Sequence, residues 1–353
     1  MNELELRSWL DGRVASHEFS GVALAARDGE TLFSYAGGLA HRGHGVPNTP
    51  STRFAVASVT KTVTAAVALR LVEDGLLGLD RPLIDVLPPE HRPAALTPAV
   101  TLHHVLSHTS GLPNYHDDAD ETWDSWNANW DRIPSYHMRR PADVLGLFRD
   151  LPAAGPPGER YEYCDANFIL AGLAIEAASG RPFAEVATEH VLRPAGMAET
   201  SFDELDRDPP RLAVGYVMSD EPPADWRSNI YQVTAASMPD GGMIATAPDL
   251  VRFMEALLDG TLLAAASVDA MRTPQGPPSN DLEQYGYGLG LVVVDGEVTI
   301  VGHGGGDPGV SARVAHHLAD RTTIVVICNQ DRGSWVVYRR LATELGLDEP
   351  RDY

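Results

Sequence analysis

The chain has 353 residues, of which 44% are hydrophobic and 22% are charged, as expected for a globular protein with a sizeable core. Its 27 basic residues against 49 acidic residues give a formal net charge of −22. Such a surface repels phosphate backbones and anionic lipids, so nucleic-acid and membrane partners are not expected. The opening residues Met1–Arg13 lack the apolar core of a signal peptide, and the expected location is the cytoplasm.

Apolar runs at both ends of the chain predict antiparallel strands. Near the N-terminus, Gly21–Arg27 and Glu30–Gly37 are separated by Asp28-Gly29, a strong signal for a two-residue hairpin. Asp295-Gly296 gives the same signal near the C-terminus. The elements predicted there are strands over Leu289–Asp295, Val298–His303, Val310–Leu318 and Thr322–Cys328, and a helix over about Trp335–Leu345. We expect both chain ends to share one sheet.

The long middle of the chain has helical periodicity instead. Helices are predicted over Ser58–Asp74, Asn167–Ser179 and Pro248–Leu258, with proline-rich loops between such segments. The expected fold class is therefore α/β (α+β), an antiparallel sheet flanked by helices with an inserted, mostly helical lobe. We expect a discontinuous α/β lobe from residues 1–75 and 285–353, a helical lobe from residues 76–284, and the active site at their junction.

The chain contains 26 arginines but a single lysine, Lys61. Arginine does not lose its proton in proteins, so the one lysine stands where a deprotonatable amine would be useful. Ser58 precedes it by three residues, and residues at i and i+3 share one helix face. The helix N-terminus would stabilise negative charge on Ser58 and help to depress the pKa of Lys61. The alternative is an N-cap serine followed by an ordinary first-turn lysine.

Two further clusters carry residue types suited to reaction at a carbonyl group. Residues Gly158–Asn167 (GERYEYCDAN) present Tyr163 and Asp165 from a loop just before a predicted helix. Residues Gly302–Gly309 (GHGGGDPG) end a predicted strand. Glycines there let the backbone approach a ligand closely, and exposed N–H groups can bind an oxyanion.

Together the three clusters resemble the motifs S-x-x-K, Y-x-N and K-T-G or H-x-G of serine β-lactamases and penicillin-binding proteins. The likeness extends from about Gly21 to Asn329 and includes the stretches 107–112 (SHTSGL), 240–246 (DGGMIAT) and 287–290 (YGLG). It is greatest to the group of class C β-lactamases, D-alanyl-D-alanine carboxypeptidases, D-amino-acid-specific amidases and related esterases. The resemblance implies a β-lactamase/transpeptidase-like fold.

The resemblance also implies an acyl-enzyme mechanism. Ser58 would attack a carbonyl carbon, and the backbone N–H groups of Ser58 and Gly306 would form the oxyanion hole. Lys61 would take the serine proton as a neutral amine, or would stay charged and hold Tyr163 as the phenolate that takes it. Both possibilities stay open at this point.

The remaining site residues are also assigned by resemblance. His303 would orient a substrate carboxylate or the Tyr163 hydroxyl, unless it makes only a structural hydrogen bond. Gly304, Gly305 and Asp165 would contact the substrate. Asp165 stands where Y-x-N has asparagine, and a carboxylate cannot donate an amide N–H, so β-lactam binding of the usual kind is not expected.

The preferred function is hydrolysis of a small-molecule ester, amide or peptide by an esterase or a D-amino-acid-type amidase or peptidase. A class C-like β-lactamase, a D-alanyl-D-alanine carboxypeptidase, an acyltransferase and a non-catalytic binding protein are the alternatives. His104 and His108 lie at i and i+4 but lack the glutamate of H-E-x-x-H and a third ligand, so no metal or other cofactor is expected.

Three tryptophans, Trp123, Trp126 and Trp130, recur at i, i+3 and i+7. This spacing predicts one face of a helix, which either packs in the core or lines the substrate site. If it lines the site, it favours bulky or aromatic acyl groups. The oligomeric state is left open.

Overall fold

The computed structural model describes residues 1–117, 123–218, 225–278 and 282–347. The strands in these ranges are β1 (Gly21–Arg27), β2 (Glu30–Gly37), β3 (Leu39–His41), β4 (Val46–Pro47), β5 (Phe54–Ala55), β6 (Tyr216–Met218), β7 (Trp226–Ser228), β8 (Ile244–Ala245), β9 (Glu283–Tyr285), β10 (Gly290–Val294), β11 (Glu297–Asp307), β12 (Val310–His317) and β13 (Thr322–Cys328). The α-helices are α1 (Glu3–Ala15), α2 (Thr60–Glu73), α3 (Leu102–Leu106), α4 (Asp124–Arg132), α5 (Pro141–Phe148), α6 (Asp165–Ser179), α7 (Phe183–Ala187), α8 (Ala247–Leu258), α9 (Ala265–Met271) and α10 (Ser334–Leu345).

Seven strands form one antiparallel sheet in the order β2-β1-β13-β12-β11-β10-β9. Strands from both chain ends share this sheet, and Gly21 of β1 pairs with Cys328 of β13. The hairpins predicted at Asp28-Gly29 and Asp295-Gly296 are confirmed, because all four residues have the positive φ of a type I′ turn. The predicted fold class is likewise confirmed.

The two faces of the sheet pack against different hydrophobic clusters. Along β1, Ala23 and Ala25 join α1 and α10 in one cluster, whereas Val22 and Leu24 join α2, α6 and α8 in the other. This division follows from the period of two along a strand. With both faces covered, a central strand such as β13 is buried along its whole length, which explains its unbroken apolar sequence.

Two elements near the site differ from their predicted bounds. β11 was predicted to end at His303, but it continues to Asp307, because the glycine-rich segment keeps pairing with β12 as far as Val310. The helix predicted from Ser58 is a 3₁₀ turn over Ala57–Val59 followed by α2. Ser58 therefore lies in a tight turn just before the α-helix begins.

Among the described residues, the segment between β5 and β9 contains α2 to α9 and three short strands, β6 to β8. The assignment of residues 76–284 to a lobe separate from residues 1–75 and 285–353 stays a prediction. Within the described ranges, no helix has the length and apolar character needed to cross a membrane. The cytoplasmic location also stays a prediction.

The turn that carries Ser58 is fixed by the strands around it. The N–H of Val56 donates to the carbonyl of Met243 at 3.1 Å, next to the pairing of β5 with β8. Ala57 is fully buried with φ of 46°, a conformation that costs a non-glycine residue free energy unless its surroundings hold it. On the other side, β11 approaches so closely that a Cβ atom at Gly305 would overlap with the Val56 carbonyl oxygen. Glycine is therefore required at this position.

We predict that Gly305→Ala destabilises the protein by about 1–3 kcal/mol, the usual cost of overpacking, and displaces the Ser58 turn. The matched control is Gly304→Ala in the same strand, whose new Cβ would meet its nearest neighbour at an ordinary 3.6 Å. Urea unfolding of both variants measures the difference in the free energy of unfolding. Equal stability of the two variants would contradict the close approach of β11.

Candidate active site

The amine of Lys61 lies at the centre of the site. Its Nζ donates to Ser58 Oγ at 2.9 Å, to the backbone oxygen of Asp240 at 2.7 Å and to the carboxylate of Asp165. These three acceptors match the three N–H groups of an ammonium. The lysine side chain is 0% exposed, so the group has no contact with solvent. The Ser58–Lys61 contact expected from the sequence is therefore present.

The charge on Lys61 differs from the sequence expectation. Burial acts to lower the pKa of Lys61, but the carboxylates of Asp165 and Asp240 together outweigh burial and raise it. The predicted depression of this pKa is therefore wrong. Its physical reason is the ion pair with Asp165, which the helix-terminus argument did not include. At neutral pH the group beside Ser58 is an ammonium.

Asp165 is held between two partners at the first position of α6. One carboxylate oxygen accepts from Lys61, and the other lies 2.7 Å from Nε2 of His116. Its backbone N–H donates to Asn114 Oδ1 at 3.1 Å. Burial acts to raise the pKa of Asp165, but Lys61 and His116 outweigh it and hold this pKa well below its usual range. Both oxygens of the carboxylate thus bond to the protein itself.

Tyr163 lies beside the ammonium group and packs against a histidine ring. Nζ of Lys61 is 5.1 Å from the centroid of the Tyr163 ring, and the His108 ring packs against the tyrosine with ring centroids 4.3 Å apart. His108 is fully buried, and its Nδ1 accepts the backbone N–H of Cys164 at 3.1 Å. Burial, followed by the charge of Lys61, holds the pKa of His108 well below 6.5, so the His108 ring is neutral. His108 thereby restricts where the Tyr163 ring can move.

His303 uses both ring nitrogens within the protein. Its Nδ1 bonds to the carbonyl oxygen of Gly304, and its Nε2 lies 2.8 Å from the hydroxyl of Tyr285. Burial, and then Lys61, lower the pKa of His303 to about 3, so the ring is neutral. A neutral ring must donate from Nδ1 to the carbonyl and accept at Nε2 from the tyrosine. This geometry favours the structural bond over contact with a substrate carboxylate.

A cavity of about 890 Å³ opens in front of Ser58. Gly304 and Gly306 line it together with Ser58, whereas Gly305 lies against the Val56 carbonyl instead. Ser58 and Gly306, whose backbone N–H groups are assigned to the oxyanion hole, therefore line the same cavity. The volume lies within the range of typical ligand-binding pockets.

The three tryptophans form one wall of this cavity. Trp126 and Trp130 belong to α4, but Trp123 precedes the helix with a left-handed φ of 63°, so the predicted continuous helical face is interrupted. The rings still contact one another, with centroids 6.4 Å apart for Trp123 and Trp126 and 5.5 Å for Trp126 and Trp130. They pack as a cluster and also line the cavity.

Sequence reasoning missed several residues that surround Lys61. His116 and Tyr285 carry no local signal, because only the folded chain brings them to Asp165 and His303. Asp240 and Asp307 fall inside stretches that were recognised for their glycines, and no role was assigned to either. The carboxylate of Asp240 accepts the hydroxyl of Tyr115, and burial, despite Lys61, raises the pKa of Asp240 to about 6.

The fold, together with a serine bonded to a buried lysine in a large cavity, defines a serine hydrolase related to β-lactamases. The chain matches the family model described as Beta-lactamase over residues 6–346, and it belongs to this family. Its family and fold were both correctly predicted.

Individual relatives support the same grouping. A penicillin-binding protein from Bacillus halodurans is 35% identical, and its crystal structure superposes with a TM-score of 0.87 over 95% of this chain and 99% of that one. Esterase EstB of Burkholderia gladioli is 32% identical over 295 residues, which cover 77% of this chain and 74% of the esterase. A D-aminopeptidase of Cereibacter sphaeroides (strain KD131 / KCTC 12085) is 28% identical over 340 residues, 94% of this chain and 61% of the peptidase.

We predict strong coupling between Lys61 and Asp165 in stability. Lys61→Met should lower the free energy of unfolding by about 3–5 kcal/mol, because it leaves a buried carboxylate without its cation. Adding Asp165→Asn should restore part of that loss, so the double variant should be more stable than Lys61→Met alone. Urea unfolding of the two single variants and the double variant gives the coupling energy. Additive losses would contradict the ion pair.

Proposed function

We propose that this chain hydrolyses small ester, amide or peptide substrates through an acyl-enzyme on Ser58. The observation that carries the proposal is the 2.9 Å contact between Ser58 Oγ and the buried amine of Lys61, at the wall of a cavity of about 890 Å³. The backbone N–H groups of Ser58 and Gly306 would bind the oxyanion, a donor type whose loss typically costs about 3–4 kcal/mol.

Tyr163 is the immediate proton acceptor in this proposal, and Lys61 is a fixed cation. The ion pair with Asp165 supports this choice, because a proton already occupies the lysine and the carboxylate opposes its loss. The ammonium 5.1 Å from the ring stabilises a phenolate at Tyr163. The proton of Ser58 would pass to this phenolate as Oγ attacks the carbonyl, and would then pass to the leaving group. His303 positions the Gly304 carbonyl and Tyr285.

The proposed substrates follow from the relatives and from Asp165. Relatives named esterase and D-aminopeptidase favour ester and amide substrates. Relatives named penicillin-binding protein keep a class C-like β-lactamase or a carboxypeptidase as the second candidate. Asp165 argues against β-lactams, since both its oxygens accept from Lys61 and His116 and it has no N–H to offer a substrate carbonyl. Transfer to an acceptor other than water would give an acyltransferase.

The proposal predicts that p-nitrophenyl butyrate is hydrolysed with a butyryl group transiently bound to Ser58. Intact-mass measurement after rapid acid quench should show this adduct, and it should be absent in Ser58→Ala. Nitrocefin should be turned over at least about 100-fold more slowly. Lys61→Arg should abolish acylation although the charge is kept, because the guanidinium cannot reproduce the compact three-acceptor geometry. Comparable rates for nitrocefin and the ester would contradict the esterase assignment. A butyryl adduct on the Ser58→Ala variant would contradict the role of Ser58 as nucleophile.

We also predict the pH dependence of Asp165→Asn. Removing the carboxylate that most strongly raises the Lys61 pKa leaves burial to lower it, so the ammonium is lost at a lower pH. If the charged lysine is required, the alkaline limb of kcat/KM for the ester should move down by about one pH unit or more. The control is His116→Gln, which keeps the Lys61–Asp165 pair and should move this limb much less. A gain of activity at neutral pH in Asp165→Asn would instead identify neutral Lys61 as the base.

A further inference from the structure

The active-site cavity is strongly acidic. Among the described residues that line it, the charged side chains other than histidine are six aspartates and one arginine: Asp117, Asp165, Asp208, Asp240, Asp307, Asp331 and Arg332. The single arginine is paired with its neighbour Asp331 at 3.3 Å, and Lys61 is already paired with Asp165. The remaining acids give the cavity a net negative potential, which attracts cationic ligands and repels anionic ones.

Asp307 is the carboxylate best placed to use this potential. It is the last residue of β11 and directly follows Gly306, whose N–H is assigned to the oxyanion hole. It lines the cavity, and across the described ranges its side chain makes no hydrogen bond or ion pair. Asp165 and Asp240 differ in this respect, since Lys61 and Tyr115 respectively donate to them. Asp307 therefore presents an unused acceptor to the ligand space.

The electrostatic surroundings of Asp307 favour a cationic ligand beside it. Burial, followed by the charges of Asp165 and Asp240, raises the pKa of Asp307 to about 8, and Lys61 and His116 offset only part of this rise. Ionising the Asp307 carboxyl group in the cavity therefore costs free energy. A ligand cation beside it would relieve the repulsion among the three acids and would itself gain an ion pair away from bulk water.

An aromatic ring stands next to the same segment. A methyl group built at Gly306 would lie 3.9 Å from Cη2 of Trp123, so the indole lies close to the strand just before Asp307. Ammonium groups bind favourably to indole rings, particularly where water is excluded. The carboxylate and the indole together suit an amine better than they suit a carboxylate or a neutral chain.

From these observations we infer that the cavity selects acyl groups carrying an ammonium group next to the reacting carbonyl, and that Asp307 is the residue that determines this selection. The Cα atoms of Gly306 and Asp307 are about 3.8 Å apart, as in any two adjacent residues. If the Gly306 N–H binds the carbonyl oxygen of the substrate, the substrate carbon next to that carbonyl lies within reach of the Asp307 side chain. The substrate class is α-aminoacyl amides and esters, including the N-terminal residue of short peptides. The inference rests on the proposed function, because it uses the acylation of Ser58 and the Gly306 oxyanion contact.

The test compares two p-nitroanilides of equal chain length. Alanine p-nitroanilide, assayed as both enantiomers, carries the amine, and propionic acid p-nitroanilide lacks it. In the unmodified protein at pH 8, kcat/KM for the better alanine enantiomer should exceed that for the propionyl compound at least about tenfold. In Asp307→Asn this ratio should fall by about tenfold. The matched control is Asp208→Asn, at another acid of the cavity wall. Asparagine also tolerates the left-handed backbone of this position, and the ratio should fall much less there than in Asp307→Asn.

A second measurement does not depend on how the Asp307 variant folds. Alaninamide should inhibit p-nitrophenyl butyrate hydrolysis by the unmodified protein at least about tenfold more tightly than propionamide. Equal inhibition by the two amides, an equal rate for the two anilides, or an equal fall of the ratio in Asp208→Asn would overturn the role of Asp307. Failure to hydrolyse p-nitrophenyl butyrate or to acylate Ser58 would instead overturn the proposed hydrolase itself, so the two failures are distinguishable.

Discussion

Moving an ammonium group out of water costs several kcal/mol, and this chain buries its only lysine completely. The cost is offset by the carboxylate of Asp165, the backbone oxygen of Asp240 and the hydroxyl of Ser58, which accept all three N–H groups. These hydrogen bonds connect α2, α6 and the turn before β8 through the Lys61 amine. Because none of the three acceptors can move without leaving a buried donor unpaired, the Ser58 side chain is held in position.

The same ion pair decides how the site can use its protons. An ammonium that is stabilised by a carboxylate is a poor base, but it is an effective stationary charge for stabilising an anion nearby. Tyr163 lies beside this charge, and its ring packs against the neutral His108 ring. The proposed roles of Lys61 as cation and Tyr163 as proton acceptor therefore depend on Asp165, the residue at which this chain departs from the Y-x-N pattern.

The close approach of β11 connects the sheet to the chemistry. Gly305 lets the strand contact the turn that holds Ser58, and the residues on either side of it then face the cavity. The strand goes on past the glycines to Asp307, so the segment that would bind the oxyanion also carries an acidic side chain. The proposed oxyanion binding and the proposed recognition of an amine would thereby share one paired strand.

Local patterns in the sequence were sufficient for the antiparallel strands, the two Asp-Gly hairpins and the spacing of Ser58 and Lys61. Each of these depends on residues that lie near one another along the chain, where backbone preference and side-chain periodicity act directly. The extent of β11 was not predictable in this way, because its glycines have low strand propensity and are held by pairing with β12.

Only the tertiary structure decided the charge of Lys61, the partners of His303 and the place of the Asp307 carboxylate, which bonds to no other group in the described ranges. The partners of Lys61 lie up to 179 residues away along the chain, as with the carbonyl of Asp240. Burial and the summed field of distant charges set a pKa, and neither quantity is a property of neighbouring residues. The sequence alone therefore determined which side chains are candidates for the chemistry, whereas folding determined which of them carry a proton and which line the cavity.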